Sequence, residues 1–281
     1  MPRATNGDVS LRYEVDEGSG GDDEAVVFCG DVGVGAWQFG WQHAALAGPY
    51  TVVTPETRGV GASDAPPGPY TVETLAADLD AVCTDAGVRN AHLVGYGLGG
   101  MVALAYALAS SRPASLTLVG TPPAGDAYNP AGVWADPTDP AAVEGSLTGL
   151  LSADFREAQP DALAPIVEWR LTEDADREVF AAQRAAIEEF DLVDRLHEVS
   201  TPALVVAGTD DTVCPRTAVE TLSDGLPRGE RYVVEGARHL VGVEASAAVN
   251  DRLTGWLATH ASTFSLRWFR DDRFYDRRAT T

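Results

Sequence analysis

The sequence predicts an α/β protein built on a mostly parallel, doubly wound sheet and interrupted by an inserted helical cap. Three observations predict it. Short β-rich runs alternate with helical stretches, the pattern of a sheet covered by helices on both faces. An acid-rich stretch with helical periodicity and no convincing strand, 141–196, separates the early strands from the late ones. A glycine-rich turn, Gly95-Tyr96-Gly97-Leu98-Gly99-Gly100, joins a strand to a helix.

The elements follow in chain order. Val9–Val15 reads as an early strand, with a Gly-rich hairpin turn at Gly18–Gly21. Ala25–Cys29 is a buried apolar strand ending at Gly30. Ala36–Leu46 reads as a helix and Thr51–Thr54 as another buried strand. Val72–Ala86 places Leu75, Leu79, Val82 and Cys83 at helical spacing, and Gly87 stops it. His92–Gly95 is a strand, Leu98–Ala109 an alanine-rich helix and Ser115–Val119 the next strand. Pro122–Pro140 is rich in Pro, Gly and Asp and reads as loop. The sheet resumes at Ala203–Ala207 and Arg231–Val234, and Ala245–Thr259 is a closing helix. The chain thus divides into a first core part over 1–125, a helical cap over 126–196, a second core part over 197–260 and a tail over 261–281. The tail mixes Phe264, Trp268, Phe269, Phe274 and Tyr275 with Arg and Asp. It reads either as a docking segment for a partner or neighbouring subunit, or as aromatics that pack back on the parent domain.

Composition narrows the setting. The chain has 281 residues and 45% hydrophobic content, enough for a real core. No apolar run approaches bilayer length, and 1–12 has no stretch resembling a signal peptide, so a cytoplasmic protein without membrane contact is expected. Formal net charge is −22, and there is no lysine, so all 20 cations are arginine. Such self-repulsion destabilises a compact state at low salt. At molar salt the Debye length shrinks to about 3 Å and the repulsion is screened. The composition resembles that of proteins from halophilic archaea. Nucleic acid is excluded as a partner by the same charge. The expected partner is a small-molecule substrate or ligand, and a homo-oligomer is left open. Cys29, Cys83 and Cys214 are too few and too scattered for a disulfide framework, and no spacing suggests a metal site or a cofactor.

The glycine-rich turn admits two readings. Gly95, Gly97 and Gly100 match Gly-x-Gly-x-x-Gly, the dinucleotide-binding turn. That turn normally follows the first strand of its unit with an acid about 20 residues on. Here several strands precede it, and the corresponding region reads Gly120-Thr121-Pro122. The other reading is a nucleophile elbow, Gly-x-Ser-x-Gly, with glycine at the central position.

Further motifs accompany the elbow. Cys29-Gly30-Asp31 follows a strand, with Trp37 and Gln42 in the next helix. Glu56-Thr57-Arg58-Gly59-Val60-Gly61-Ala62-Ser63-Asp64 forms a loop after the next strand. Gly208-Thr209-Asp210-Asp211 precedes Pro215, and Gly236-Ala237-Arg238-His239 comes later. In this order the chain resembles the α/β-hydrolase superfamily, especially its small esterase and enol-lactonase-like branch. The resemblance covers nearly everything outside the cap and tail. It implies the α/β-hydrolase fold, Asp211 as catalytic acid and His239 as catalytic histidine. It implies an oxyanion hole from the backbone N–H groups of Leu98 and Asp31. Gly30, Tyr96 and Trp37 become candidate pocket residues, and Trp134, Phe155, Trp169 and Phe180 are expected to shape the pocket from the cap.

Three departures matter. Cys29 replaces a histidine and Glu56 an aspartate, both in loop-bracing positions. Gly97 stands at the nucleophile position. Glycine adopts the elbow's positive φ at no steric cost but supports no acyl-enzyme. Two functions follow from this: an ester or lactone hydrolase, or a lyase, in which His239 and Asp211 act on water or substrate directly, and a non-catalytic ligand-binding or regulatory pseudo-hydrolase. A third, an interaction protein acting through the tail, stands behind them. Asp31 has an inward reading, as a second acid or base, and an outward one, capping the next turn; the outward one is expected. Cys29 is read as core filler and Cys214 as lying near the site without a base.

Overall fold

The computed structural model describes residues 1–19 and 24–261. Apart from Ala261, the tail with its aromatics lies outside the described residues, as do Gly20 and Gly21.

Eight strands form one sheet: β1 (Arg3–Asn6), β2 (Val9–Asp16), β3 (Glu24–Cys29), β4 (Thr51–Pro55), β5 (Asn90–Tyr96), β6 (Pro113–Val119), β7 (Ala203–Gly208) and β8 (Gly229–Val234). Their spatial order is β1-β2-β4-β3-β5-β6-β7-β8. The first two pairings are antiparallel and all the others parallel. The expected hairpin at Gly18–Gly21 is therefore corrected. β4 lies between β2 and β3, so the connection crosses a strand instead of turning back on its neighbour. β3 is buried at all six positions, as a parallel strand covered on both faces must be.

Helices cover the sheet: α1 (Gly40–Leu46), α2 (Val72–Asp85), α3 (Gly97–Ala109), α4 (Pro140–Leu150), α5 (Ala153–Ala158), α6 (Pro160–Glu173), α7 (Arg177–Glu189), α8 (Arg216–Gly225), α9 (Val241–Glu244) and α10 (Ser246–His260). The expected helix over 36–46 divides into a 3₁₀ turn, Ala36–Phe39, and α1. Helix α2 starts where Thr71 Oγ1 accepts from Thr74 N–H, satisfying an orphan donor of the first turn. Helices α4–α7 all lie between β6 and β7. Arg170 on α6 is their hub and is fully buried. Its guanidinium donates to Asp174 Oδ2 at 2.7 Å, Ser146 Oγ at 2.7 Å and the Val133 carbonyl at 2.8 Å.

Strand register sets the site. Cys29 pairs with Gly95 and Gly95 with Leu118, so β3, β5 and β6 end level with one another. Asp31 and Gly97, each two residues further on, are neighbours at the carboxyl edge of the sheet. Gly208 pairs with Val234, which brings the loops after β7 and β8 to the same edge. His92 lies elsewhere in the sheet, bonded to Ser115 Oγ at 2.8 Å and Glu24 Oε1 at 3.1 Å on the flanking strands.

Candidate functional site

Helix α3 begins immediately where β5 ends, and Gly97 makes that turn with φ of +43°. A Cβ at Gly99 would overlap the Cys29 carbonyl, so strand and helix approach closely only because residue 99 has no side chain. The first turn of α3 leaves the Leu98 N–H without an intrahelical partner. Asp31 supplies one from the neighbouring strand end, with Oδ1 accepting from Leu98 N–H at 3.0 Å and from Val32 N–H at 2.7 Å.

The expectation that Asp31 turns outward and lends its backbone N–H to an oxyanion hole is thus corrected. Its N–H faces Gln38 Oε1 at 3.3 Å, and its carboxylate turns inward, 2% exposed. The physical reason is room. A Cβ at position 97 would overlap Asp31 Oδ1 and the Tyr128 hydroxyl and lie 2.6 Å from Asp31 Cγ. Gly97 leaves that space, and the carboxylate takes it. Leu98 N–H faces the site as expected, but its partner is the protein's own side chain.

His239 and Asp211 come together as the motif order implies. His239 Nδ1 lies 2.8 Å from Asp211 Oδ2, and Asp211 Oδ1 accepts from Val213 and Cys214 N–H at 2.8 and 3.0 Å. The other face of the imidazole meets Asp31, with Nε2 3.0 Å from Oδ2. Tyr128 closes the group. Its hydroxyl is 2.8 and 2.7 Å from the two Asp31 oxygens and 3.2 Å from His239 Nε2. All four side chains are buried.

Charge follows from these contacts. Burial alone would lower the His239 pKa, but the carboxylates of Asp211 and Asp31 raise it to about 10. The ring is an imidazolium between two carboxylates at neutral pH. Burial would raise the Asp31 carboxyl, yet His239, Tyr128 and the Leu98 N–H hold it below its ordinary value. Burial pushes the Tyr128 hydroxyl well above its ordinary range, so it stays a donor. Burial also raises the thiols of Cys29 and Cys214, which keeps both protonated and unreactive.

The other expected residues disperse. Tyr96 sets its ring edge-on to His239, centroids 6.1 Å apart, but its hydroxyl accepts from Gly242 N–H at 2.7 Å. Trp37 donates its indole N–H to Asp174 Oδ1 at 2.9 Å and braces the loop carrying Asp31. Gly30 lines a mostly apolar cavity with Cys29, Thr57, Leu98 and Gly99, whose lining does not include His239. Trp134 stacks on Phe180 at 4.7 Å, and Trp169 sits half-exposed against Trp41. Phe155 lines a groove with Trp41, Ala162, Gly236, Ala237 and Val243, between the inserted helices and the loop leading to His239. That loop is tied to the inserted helices: Leu240 N–H donates to the Leu150 carbonyl at 3.1 Å and Arg238 to the Thr148 carbonyl at 2.6 Å. Among the described residues no cluster of three or more His, Cys, Asp or Glu is arranged to hold a metal. Tyr128 is the residue that sequence reasoning missed. It lies in a Pro- and Gly-rich stretch with no periodicity to show that its hydroxyl returns to the sheet edge.

Comparison with known proteins agrees with this architecture. A family model described as the alpha/beta hydrolase fold matches residues 29–246. The chain is 27% identical over 273 residues to a protein of Azorhizobium caulinodans named as a carbamate hydrolase, RutD, covering 91% of this chain and 98% of that one. It is 26% identical over 248 residues to 3-oxoadipate enol-lactonase 2 of Acinetobacter baylyi, covering 86% and 91%. Among solved structures it is similar to the enol-lactonase from Burkholderia xenovorans, with a TM-score of 0.79 and 26% identity over 91% of this chain and 99% of that one.

Proposed function

The chain belongs to the α/β-hydrolase family, and on that premise we propose that it is a non-hydrolytic member, a ligand-binding or regulatory protein, with Gly97 at the nucleophile position. The observation that carries this reading is Asp31 Oδ1 at 3.0 Å from Leu98 N–H. In the family's chemistry that donor stabilises the oxyanion of an acyl substrate. Here the protein's own carboxylate sits on it, buried beneath Tyr128. Two further features support the reading. Glycine supplies no oxygen nucleophile, and removing the nucleophile of a comparable triad costs on the order of a million-fold in turnover. His239, an imidazolium up to a pKa of about 10, is no general base for water at neutral pH.

A second reading keeps catalysis: a hydrolase or lyase in which His239 and Asp211 activate water or substrate on a small ester- or lactone-like molecule. The 2.8 Å contact between the two side chains and the names of the relatives favour it. It requires Asp31 to leave and His239 to lose a proton.

Hydrolysis of short-chain aryl esters in molar KCl tests the two readings. The wild type is expected to stay at background. Gly97→Ser alone is also expected to be inactive, because its Cβ meets Asp31 and Tyr128. The triple variant Gly97→Ser, Asp31→Gly and Tyr128→Phe removes both obstructions, empties the hole and restores an oxygen nucleophile beside His239. It is expected to gain activity that His239→Ala removes. Turnover by the wild type that is lost in His239→Ala would establish the catalytic reading instead.

A further inference from the structure

Most of the donors gathered on Asp31 belong to other parts of the chain. The Leu98 N–H comes from the first turn of α3, Tyr128 from the stretch after β6 and His239 from the loop after β8. Leu98 N and His239 Nε2 each lie 3.0 Å from a carboxylate oxygen, and the Tyr128 hydroxyl bridges both oxygens at 2.8 and 2.7 Å. A planar two-oxygen anion is therefore bound by groups none of which its own loop supplies. Gly97 leaves the room that the anion fills, since a side chain there would overlap it.

The loop carrying Asp31 is anchored unusually. Beyond Asp31 its bonds run to the inserted helices: Gly33 N–H to Gln183 Oε1 at 2.7 Å, Ala175 N–H to the Gly33 carbonyl at 2.9 Å, and Gly35 N–H to Asp174 Oδ1 at 2.9 Å. The loop carrying the carboxylate is thus tied to α7 and to the segment between α6 and α7, whereas its donors sit on α3, on the stretch after β6 and on the loop after β8. Empty donors in a buried site are unfavourable. Asp31 leaves only when another anion replaces it.

We propose that the Leu98 N–H, the Tyr128 hydroxyl and His239 form a receptor for the carboxylate of a small organic acid, with Asp31 as the resting occupant that the ligand displaces. This rests on the non-hydrolytic reading above and adds a ligand class to it. A neutral ester carbonyl offers one oxygen and leaves the His239 N–H without its anion. A carboxylate satisfies both sides.

Formate and acetate, with acetamide as the neutral analogue, are titrated into the wild type and Asp31→Ala in molar KCl. The Leu98 amide signal in ¹H–¹⁵N spectra reports binding, and the dispersion of the same spectra reports folding. Asp31→Ala is expected to bind both acids saturably and at least about tenfold more tightly than the wild type, in which the ligand must displace an occupant. Acetamide is expected not to bind. Adding Tyr128→Phe removes one donor and is expected to weaken acetate by about tenfold. A folded Asp31→Ala that ignores acetate, or takes acetamide equally well, overturns the proposal. If Asp31→Ala does not fold, Asp31→Asn is the second variant: its neutral amide still occupies the donors but holds them more weakly than the carboxylate, so acetate is again expected to bind more tightly than to the wild type. Wild-type ester turnover would sink the non-hydrolytic reading whatever acetate does. Indifference to acetate without turnover sinks the receptor alone.

Discussion

At the scale of single residues, Gly97 and Asp31 are one change in two places. Gly97 was legible in the sequence as a departure from the family pattern and Asp31 as a carboxylate with two orientations open to it, but their connection was not. A carboxylate beside an oxyanion hole reads as repulsive, so the outward orientation looked natural. The missing Cβ at 97 reverses that, because it makes room for the carboxylate next to donors that need an acceptor. Titration should expose the arrangement. His239 is raised from 6.5 to about 10, so its contribution to stability is full below pH 6.5 and is lost as pH rises from there through 10. Asp31 is lowered from 3.8, so its contribution is present above that value and is lost as pH falls below it. The melting temperature is therefore expected to be highest between these limits and to fall on both sides. Asp31→Asn removes one of the two carboxylates facing the ring. The ¹⁵N imidazole shifts of His239 should then titrate at least about one unit lower. A His239 ring that titrates near 6.5 in the wild type would refute this account of the centre.

At the scale of elements, the sheet was largely readable because parallel strands are continuous apolar runs, as in Ala25–Cys29 and Ala203–Ala207. Strand β1 escaped notice because Arg3–Asn6 is short and polar, and only pairing with β2 makes it a strand. Helix α8 did carry a signal, with Ala218, Val219 and Leu222 on one face. The inserted helices were recognisable as helices, but their internal geometry depends on Arg170, which no periodicity reveals. The side chains of Arg170 and Asp174 are both fully buried, and Asp174 also accepts from Gly35 and Trp37. Breaking a buried pair by removing one partner costs about 3–5 kcal/mol. Arg170→Ala is expected to lose that much by chemical denaturation. Asp174→Asn should cost less, because its amide oxygen can still accept from the Gly35 and Trp37 N–H groups. A loss below about 1 kcal/mol for Arg170→Ala, the range of an exposed pair, would contradict the hub.

At the scale of the whole molecule, charge couples stability to salt. The 42 acids outnumber the 20 arginines, and the surface repels itself. Ion pairs such as Arg216–Glu220 and Arg195–Glu198 are exposed and contribute little individually. Salt therefore screens far more repulsion than attraction, while Arg58–Asp78, Arg170–Asp174 and the His239 centre are shielded by burial. The melting temperature is expected to rise steadily from low salt to molar KCl. A protein most stable at low ionic strength would contradict this account of its charge. Among the described residues no helix is long and apolar enough to cross a membrane.

Trp37 gives the protein an internal gauge. Its indole N–H shares Asp174 Oδ1 with the Gly35 N–H, on the loop that carries the buried carboxylate. Any event that unseats that loop must change the environment of one indole ring. A single fluorinated tryptophan at position 37 would then report, in an otherwise silent protein, the moment at which the anion changes hands.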